Sequence, residues 1–307
     1  MNNIVLLLGV PNEPPLALVA SALHKNGVRT LIWDQQKVTI SNCKIQIENS
    51  NITGILSCPE WTVSLEDVVG VYTRLASWAT LPEIKELPPT DPRFTHASTL
   101  HLILDEWLEV TPARVINRTS ANDSNNSKPY QALMIRRYFY VPETLVTNQP
   151  DAALDFCSRH PRTIYKSISG ERSIVTEFDT QDMERLNLLQ NSPIQLQEWI
   201  SGFDVRVHVV GDRTFATRVE SAAIDYRYDY SINGAGFTAY ELPADVEDAC
   251  IQLTAEMKLG LAGLDLRFAN DGRIFCFEVN PSPAYSVFES STGQPIAEAI
   301  ALYLAGS

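Results

Sequence analysis

The chain has 307 residues, 45% of them hydrophobic and 20% charged, with a formal net charge of −13. Such a composition belongs to packed globular protein of two or three domains, and no apolar run approaches the ~20 residues that cross a bilayer. A surface this acidic repels nucleic acid and anionic membranes, so an anionic ligand needs a local basic cluster, while a cationic or neutral substrate stays open.

The opening NIVLLLGVPNEPPLALVASALHKNGVRTLIWD, residues 3–34, reads as strand, loop, helix, strand. Its first apolar run is too short, and lacks the basic flank, for a signal peptide. Asn12 is placed to cap the helix, prolines occupy its first turn and Gly27 follows its end. The turn after the first strand has one glycine and is no dinucleotide fingerprint. VVGVYTRL is a further buried strand ending in Arg74. Leu81 to Pro92 reads as a proline-rich surface loop, Arg93 to Val110 as a helix, and ARVIN as a short strand. RTSANDSNNSKPY, Arg118 to Tyr130, is polar and reads as the clearest linker. A helix then runs from Lys128-Pro129 to about Tyr138, followed by VPETLVTN.

Next come strand TIYKS, a small loop, strand SIVTEF and a polar helix. After Ser192-Pro193 there are three strands, IQLQEWI, FDVRVHVVG and RTFATRVES. A loop with Asn233, Gly234 and Gly236 leads to a helix over Ala244 to Leu259, and TGQPIAEAIALYLAGS closes the chain as an amphipathic helix. The five cysteines are scattered without a C-x-x-C pair, which fits free thiols in a reducing cytoplasm. The histidines form no metal motif.

LDLRFANDGRIFCFEVN holds the strongest chemical signal. Asp271-Gly272 is a hairpin turn that pairs Asn270 with Arg273. Counting outward puts Asp265 opposite Glu278. One face then carries Asp265, Arg267, Cys276, Glu278 and Asn280, and the other is an apolar core face. Opposed like charges destabilise a sheet. A hard divalent cation with oxygen ligands reverses that cost, and Mg²⁺ beside nucleotide phosphates suits one or two carboxylates. A solvated polar face is the alternative.

Two other stretches offer chemistry. YKSISGERS places Lys166 at a strand end before a turn containing Gly170, a geometry that can bring a lysine and backbone N–H groups to phosphates; a solvated lysine is the bland reading. QEWISGFDVRV gives backbone groups for an adenine edge, Trp199 or Ile200 to pack on the ring, and Asp204 to hold a ribose. Its bland reading is a hairpin with an exposed Asp–Arg pair. In a simple hairpin around Gly211-Asp212, Arg206 lies opposite Thr217, while Arg218 lies on the other face.

The order Lys128, Lys166, QEWI, DVRVHVVG, Asp265 and Glu278-Val-Asn280-Pro resembles the ATP-grasp superfamily, in particular its RimK-like branch, from about Arg118 to the C-terminus. VYTRL, SKPYQ, VPETLVTN, DYR at Asp225–Arg227 and TGQPIAEAIA are similar to the graspetide (microviridin-type) ligases within it. Ser282-Pro283-Ala284-Tyr285-Ser286 departs from that group's usual pattern.

The resemblance implies an α/β fold of the α+β ATP-grasp kind: an N-terminal α/β domain (1–117), then two ATP-grasp subdomains (118–195 and 196–307) with nucleotide between them. It implies ATP with Mg²⁺ or Mn²⁺. Lys128 and Lys166 would meet phosphates, Glu198, Trp199 and Ile200 would form the adenine hinge, and Asp204 would contact the ribose. Asp265, Glu278 and Asn280 would hold metal, and Arg206 and Arg227 would act in catalysis. The expected activity is ADP-forming ligation of a carboxylate, on a peptide or a small acid, to an amine or hydroxyl. A kinase or a non-catalytic nucleotide-binding partner is the alternative, and a homo-oligomer stays open.

Overall fold

The structure, a computed structural model, describes residues 3–49, 51–168, 175–221 and 236–306. The first unit is built on a parallel sheet. β1 (Ile4–Gly9) lies between β2 (Arg29–Asp34) and β6 (Val68–Thr73), and β7 (Arg114–Ile116) extends the far edge. β1 is apolar throughout because both of its faces are covered. Between β2 and β6 the chain builds a separate antiparallel sheet from β3 (Asn42–Glu48), β4 (Asn51–Cys58) and β5 (Trp61–Ser64).

Helix α1 (Pro14–Lys25) begins at Glu13 rather than Asn12, and no side chain caps it. The Glu13 carboxylate is engaged elsewhere, accepting from Arg74 Nε at 2.6 Å. Helix α2 (Pro92–Val110) is capped by Asp91. The segment expected as a linker is wound instead: α3 (Thr119–Asn122), a 3-10 turn (Asp123–Asn126) and α4 (Lys128–Ile135) follow one another. Its polar side chains serve local capping and docking. Ser120 donates from N and Oγ to Glu109 at 2.8 and 2.7 Å, and Ser127 Oγ accepts from Tyr130 N at 3.4 Å. Ser, Thr and Asn mark helix starts as readily as they mark loops.

Two antiparallel sheets follow. The first has the order β10-β9-β11-β8, from β8 (Thr144–Thr147), β9 (Thr163–Ser167), β10 (Thr176–Glu177) and β11 (Ile194–Glu198), and α5 (Pro150–Arg159) and α6 (Thr180–Glu184) accompany it. The second has the order β14-β13-β12-β15-β16, from β12 (Gly202–Val210), β13 (Arg213–Glu220), β14 (Gly236–Tyr240), β15 (Leu261–Ala269) and β16 (Ile274–Asn280). Gly236, expected in a loop, starts β14; Asn233 and Gly234 lie outside the described residues. Helix α7 (Ala244–Glu256) backs this sheet, and the chain ends in α8 (Ser286–Thr292) and α9 (Ile296–Ala305).

The cores are shared across these units. One face of the parallel sheet (Ile4, Leu6, Leu8) packs with Trp33 and with Leu100, Leu104 and Trp107 of α2. The other (Val5, Leu7) packs with Leu16 and Val19 of α1, Ile300 and Leu304 of α9, and Val210, Phe215 and Leu261 of the five-stranded sheet. A third cluster, with Val205, Val207, Leu264, Leu266 and Val279, buries that sheet against Cys250 and Leu253 of α7. The amphipathic α9 is therefore the joint between the first and last parts of the chain. Among the described residues no helix is long and apolar enough to cross a membrane.

Candidate active site

The β15–β16 hairpin differs from the sequence count in two places that cancel. Ala269 N donates to Arg273 O at 2.9 Å, so three residues form the loop, with Gly272 at φ 87°. Phe268 then faces Ile274 and Leu266 faces Cys276. A bulge between Leu266 and Asp265 restores the expected pairing of Asp265 with Glu278. Between the two offsets the faces are exchanged. Cys276 is fully buried in the core, and Phe277 lines the cleft with the carboxylates.

The five-stranded sheet places charges of opposite sign across from one another. In the β12–β15 register Asp204 faces Arg267 and Arg206 faces Asp265. Arg267 Nε and Nη2 donate to the two Asp204 oxygens, each at 2.8 Å, and Arg206 Nη1 donates to Asp265 Oδ1 at 2.7 Å. Arg206 has room because residue 263 is glycine: a Cβ there would sit 2.0 Å from Arg206 Nη2. Arg206 and Arg218 take the faces expected of them, opposite Thr217 and Val205. Lys128, in the first turn of α4, donates to Glu278 Oε1 at 2.5 Å. Burial pushes the Glu278 carboxyl up, but Lys128, Lys166 and Arg206 outweigh it and hold the group below its ordinary value.

A cleft separates this charged face from the four-stranded antiparallel sheet of β8–β11. Ile164, Val175, Leu266 and Phe277 form apolar walls, and Lys166, Asp204, Arg206, Asp265 and Glu278 project polar groups. Its mixed lining, apolar walls with a few convergent polar groups, suits a small ligand. Trp199 also lines it, with its ring held between guanidinium carbons of Arg162 at 3.9 Å and Arg267 at 4.9 Å.

The other two residues expected at the hinge lie differently. Glu198 forms a clasp with Glu143: its N donates to Glu143 O at 3.0 Å, and its Oε1 accepts from Glu143 N at 2.9 Å. The Ile200 side chain is buried, and its carbonyl accepts from Arg267 Nη1 at 2.9 Å. Asn280 faces an adjoining cavity with Arg74, His101 and Asp105, and its Oδ1 accepts from Ser282 N at 2.9 Å. Arg227 lies outside the described residues.

Asp265, Glu278 and Asn280 offer hard oxygen donors on one strand pair. Among the described residues no group of three or more His, Cys, Asp or Glu side chains is arranged to hold a metal ion by itself. Asp265 and Glu278 line the cleft while Asn280 lines the adjoining cavity, so the two carboxylates make a poor cage for a cation on their own but suit Mg²⁺ completed by phosphate oxygens and water. The donor set therefore fits a metal that arrives with a phosphorylated ligand.

Three residues that hold this site were missed. Gln131 of α4 donates from Nε2 to Val279 O at 2.7 Å, between Glu278 and Asn280. Asn117 is 3% exposed, donates from Nδ2 to Leu261 O and Pro281 O at 2.7 and 2.6 Å, and accepts from Gly260 N at 2.7 Å. The third is Arg267. Arg267 left a trace in the sequence as a cation on the same face as Asp265, and Gln131 closes the SKPYQ stretch; the backbone contacts that Gln131 and Asn117 make follow from no spacing rule.

The RimK-like ATP-grasp domain family matches residues 124–304. A probable alpha-L-glutamate ligase 1 from Shewanella amazonensis is 31% identical over 182 residues, which span 56% of this chain and 60% of that relative. The structure is similar to a RiPP-associated ATP-grasp ligase of Chryseobacterium gregarium, solved with ADP and a leader and core peptide, with TM-score 0.85 and 23% identity over 99% of this chain and 97% of the other. It is also similar to the macrocyclase MdnC of Microcystis aeruginosa, solved with precursor peptide MdnA, with TM-score 0.83 and 20% identity over 99% and 100% of the two chains. At these identities the likeness to the solved structures is one of fold.

Proposed function

The chain belongs to the RimK-like ATP-grasp family, and from that membership we propose that it is an ADP-forming ligase joining a carboxylate to an amine or hydroxyl through an acyl phosphate. The observation that carries this reading is the charged face itself: Asp265 and Glu278 opposed on adjacent strands, with Lys128, Lys166 and Arg206 around them, in a cleft that Ile164, Val175, Leu266 and Phe277 line with apolar surface.

In this reading Ile164, Val175 and Phe277 pack on adenine, and the segment Glu198–Ile200 offers its edge the backbone groups not already bonded to Glu143, Arg162 and Arg267. Asp204 meets the ribose, and Lys128 and Lys166 meet the phosphates. Asp265, Glu278 and Asn280 hold Mg²⁺ or Mn²⁺, which when bound supplies positive charge beside the phosphate oxygens. A substrate carboxylate oxygen attacks the γ-phosphorus and ADP departs. The amine or hydroxyl then attacks the acyl carbon, phosphate leaves, and the nucleophile loses its proton. Arg206 neutralises charge as it develops, and Arg227 is assigned the same work by its motif. The protein supplies position and electrostatics, so no covalent protein intermediate is required.

The solved neighbours that carry precursor peptides support a peptide as the substrate. The net charge of −13 favours one with basic flanks, since long-range attraction speeds its encounter and salt screens it.

The test is interception. Incubated with ATP, Mg²⁺ and a peptide bearing Asp or Glu side chains, the protein should yield a hydroxamate when hydroxylamine is added, with one ADP per product. A stable phosphorylated product without hydroxamate would replace the ligase reading with a kinase.

A further inference from the structure

We infer that Arg267 is a positioning residue that fixes Asp204 as the acceptor for the ribose hydroxyls, and so sets the preference for ribonucleotide over deoxyribonucleotide. The inference rests on the nucleotide reading of the cleft. Arg267 sits directly across from Asp204 in the β12–β15 register. Its fork takes one oxygen of Asp204 with Nε and the other with Nη2, both at 2.8 Å. A bidentate contact of this kind fixes the carboxylate plane as well as its charge. Each carboxylate oxygen can accept more than one hydrogen bond, so an Asp204 held in this way still offers an acceptor to each of two neighbouring hydroxyls. The Asp204 side chain remains 29% exposed, while that of Arg267 is 10% exposed.

Arg267 is itself held from three directions. Its Nη1 donates to Ile200 O at 2.9 Å, and its guanidinium carbon lies 4.9 Å from the Trp199 ring centre and 5.1 Å from that of Phe277. The same side chain thus ties the hinge, where the base is expected, to the acid expected at the ribose. Gly202 allows the approach: a Cβ there would sit 2.1 Å from Phe268 O on the strand that carries Arg267. Without the fork, the Asp204 side chain is free to rotate away from the hydroxyls.

The experiment compares Mg²⁺-ATP with Mg²⁺-2′-deoxy-ATP by calorimetry, in the wild-type protein and in Arg267→Lys and Arg267→Met. Wild type should favour ATP about tenfold or more, the value of a hydrogen bond to a charged acceptor. In both variants that ratio should fall below about threefold, with ATP affinity losing most of the difference. Lysine keeps the charge without the fork, so Arg267→Lys decides if Arg267→Met fails to fold, which a melting curve shows. A wild type indifferent to the 2′-hydroxyl overturns the inference. So do variants that weaken both nucleotides equally and keep the ratio, because that is the signature of a merely structural arginine. A wild type that binds neither nucleotide removes the nucleotide reading itself, a result distinct from the other two.

Discussion

Glu278 and Asp265 each carry a cation partner at hydrogen-bond distance, Lys128 and Arg206, within a largely buried face. Pairs in such a place contribute little net stability, because desolvation offsets their attraction, yet removing one partner strands the other. Glu278→Gln and Asp265→Asn keep size and shape, so the fold should survive while turnover falls on the order of 100-fold or more, as expected when charge stabilisation is lost; normal rates in both variants would remove the metal assignment. The pH dependence of stability follows from the same pair. The Glu278 carboxyl is held below its ordinary 4.5 in the fold, so it binds fewer protons folded than unfolded near that value. Its contribution is complete above that ordinary value and is lost as pH falls through the lowered one. Urea midpoints from neutral to acid pH should therefore decline less steeply for Glu278→Gln than for wild type, and parallel declines would contradict the shift.

At the scale of elements, the hairpin and its neighbours set the site by backbone contact. Gly263 is glycine because β15 passes under the Arg206 guanidinium and beside Pro283, whose Cβ would lie 2.8 Å from an added methyl. Gly263→Ala should push the flexible arginine aside, leave the fold in place, and lower ATP affinity; unchanged affinity by calorimetry would show that Arg206 is not at the phosphates. Asn117 ties β7 to the start of β15 and to Pro281, just after β16, with a fully bonded buried amide. Asn117→Ala leaves several buried backbone groups without a partner, each costing about 1–3 kcal/mol when unmade. A loss of about 3 kcal/mol in urea unfolding is expected, and a loss under about 0.5 kcal/mol would mean that water replaces the amide.

For the whole molecule, the first unit and the last share one core. Val5 and Leu7 share a core with Leu261, Ile300 and Leu304. The segment after β16 adds polar ties, with Tyr285 Oη donating to Pro15 O at 2.7 Å and Arg74 Nη1 donating to Ser282 Oγ at 3.2 Å. Those contacts give the departing Ser282–Ser286 stretch a structural role, binding the grasp units to the parallel sheet. Residues 118–307 expressed alone would expose the face of α9 that now meets that sheet. Such a fragment should bind a hydrophobic dye and lack sharp near-ultraviolet dichroism, whereas a cooperative melt equal to that of the full chain would show that the shared core is dispensable.

The sequence by itself determined the family order of motifs and the type of most long elements, while the opposition of Asp265 to Glu278 is reached by a count whose two offsets, loop and bulge, cancel. Apolar periodicity and turn residues act locally, and side-chain alternation carries a register outward from a turn. It also fixed Arg206 and Arg218 on opposite faces, since nothing interrupts β12 and β13 between Gly211-Asp212 and those residues. Only the tertiary structure decided what depends on distant contacts. The bulge that buries Cys276 and turns Phe277 to the cleft forms where β16 meets Tyr140, whose N and O bond Ile274 O and Cys276 N. The polar stretch after Arg118 winds because α2 supplies Glu109 and Asp105 as acceptors, and composition alone cannot tell a capped turn from a linker. Arg267 and Asp204 lie 63 residues apart in sequence, and no local rule announces that two strands will bring a fork and a carboxylate face to face.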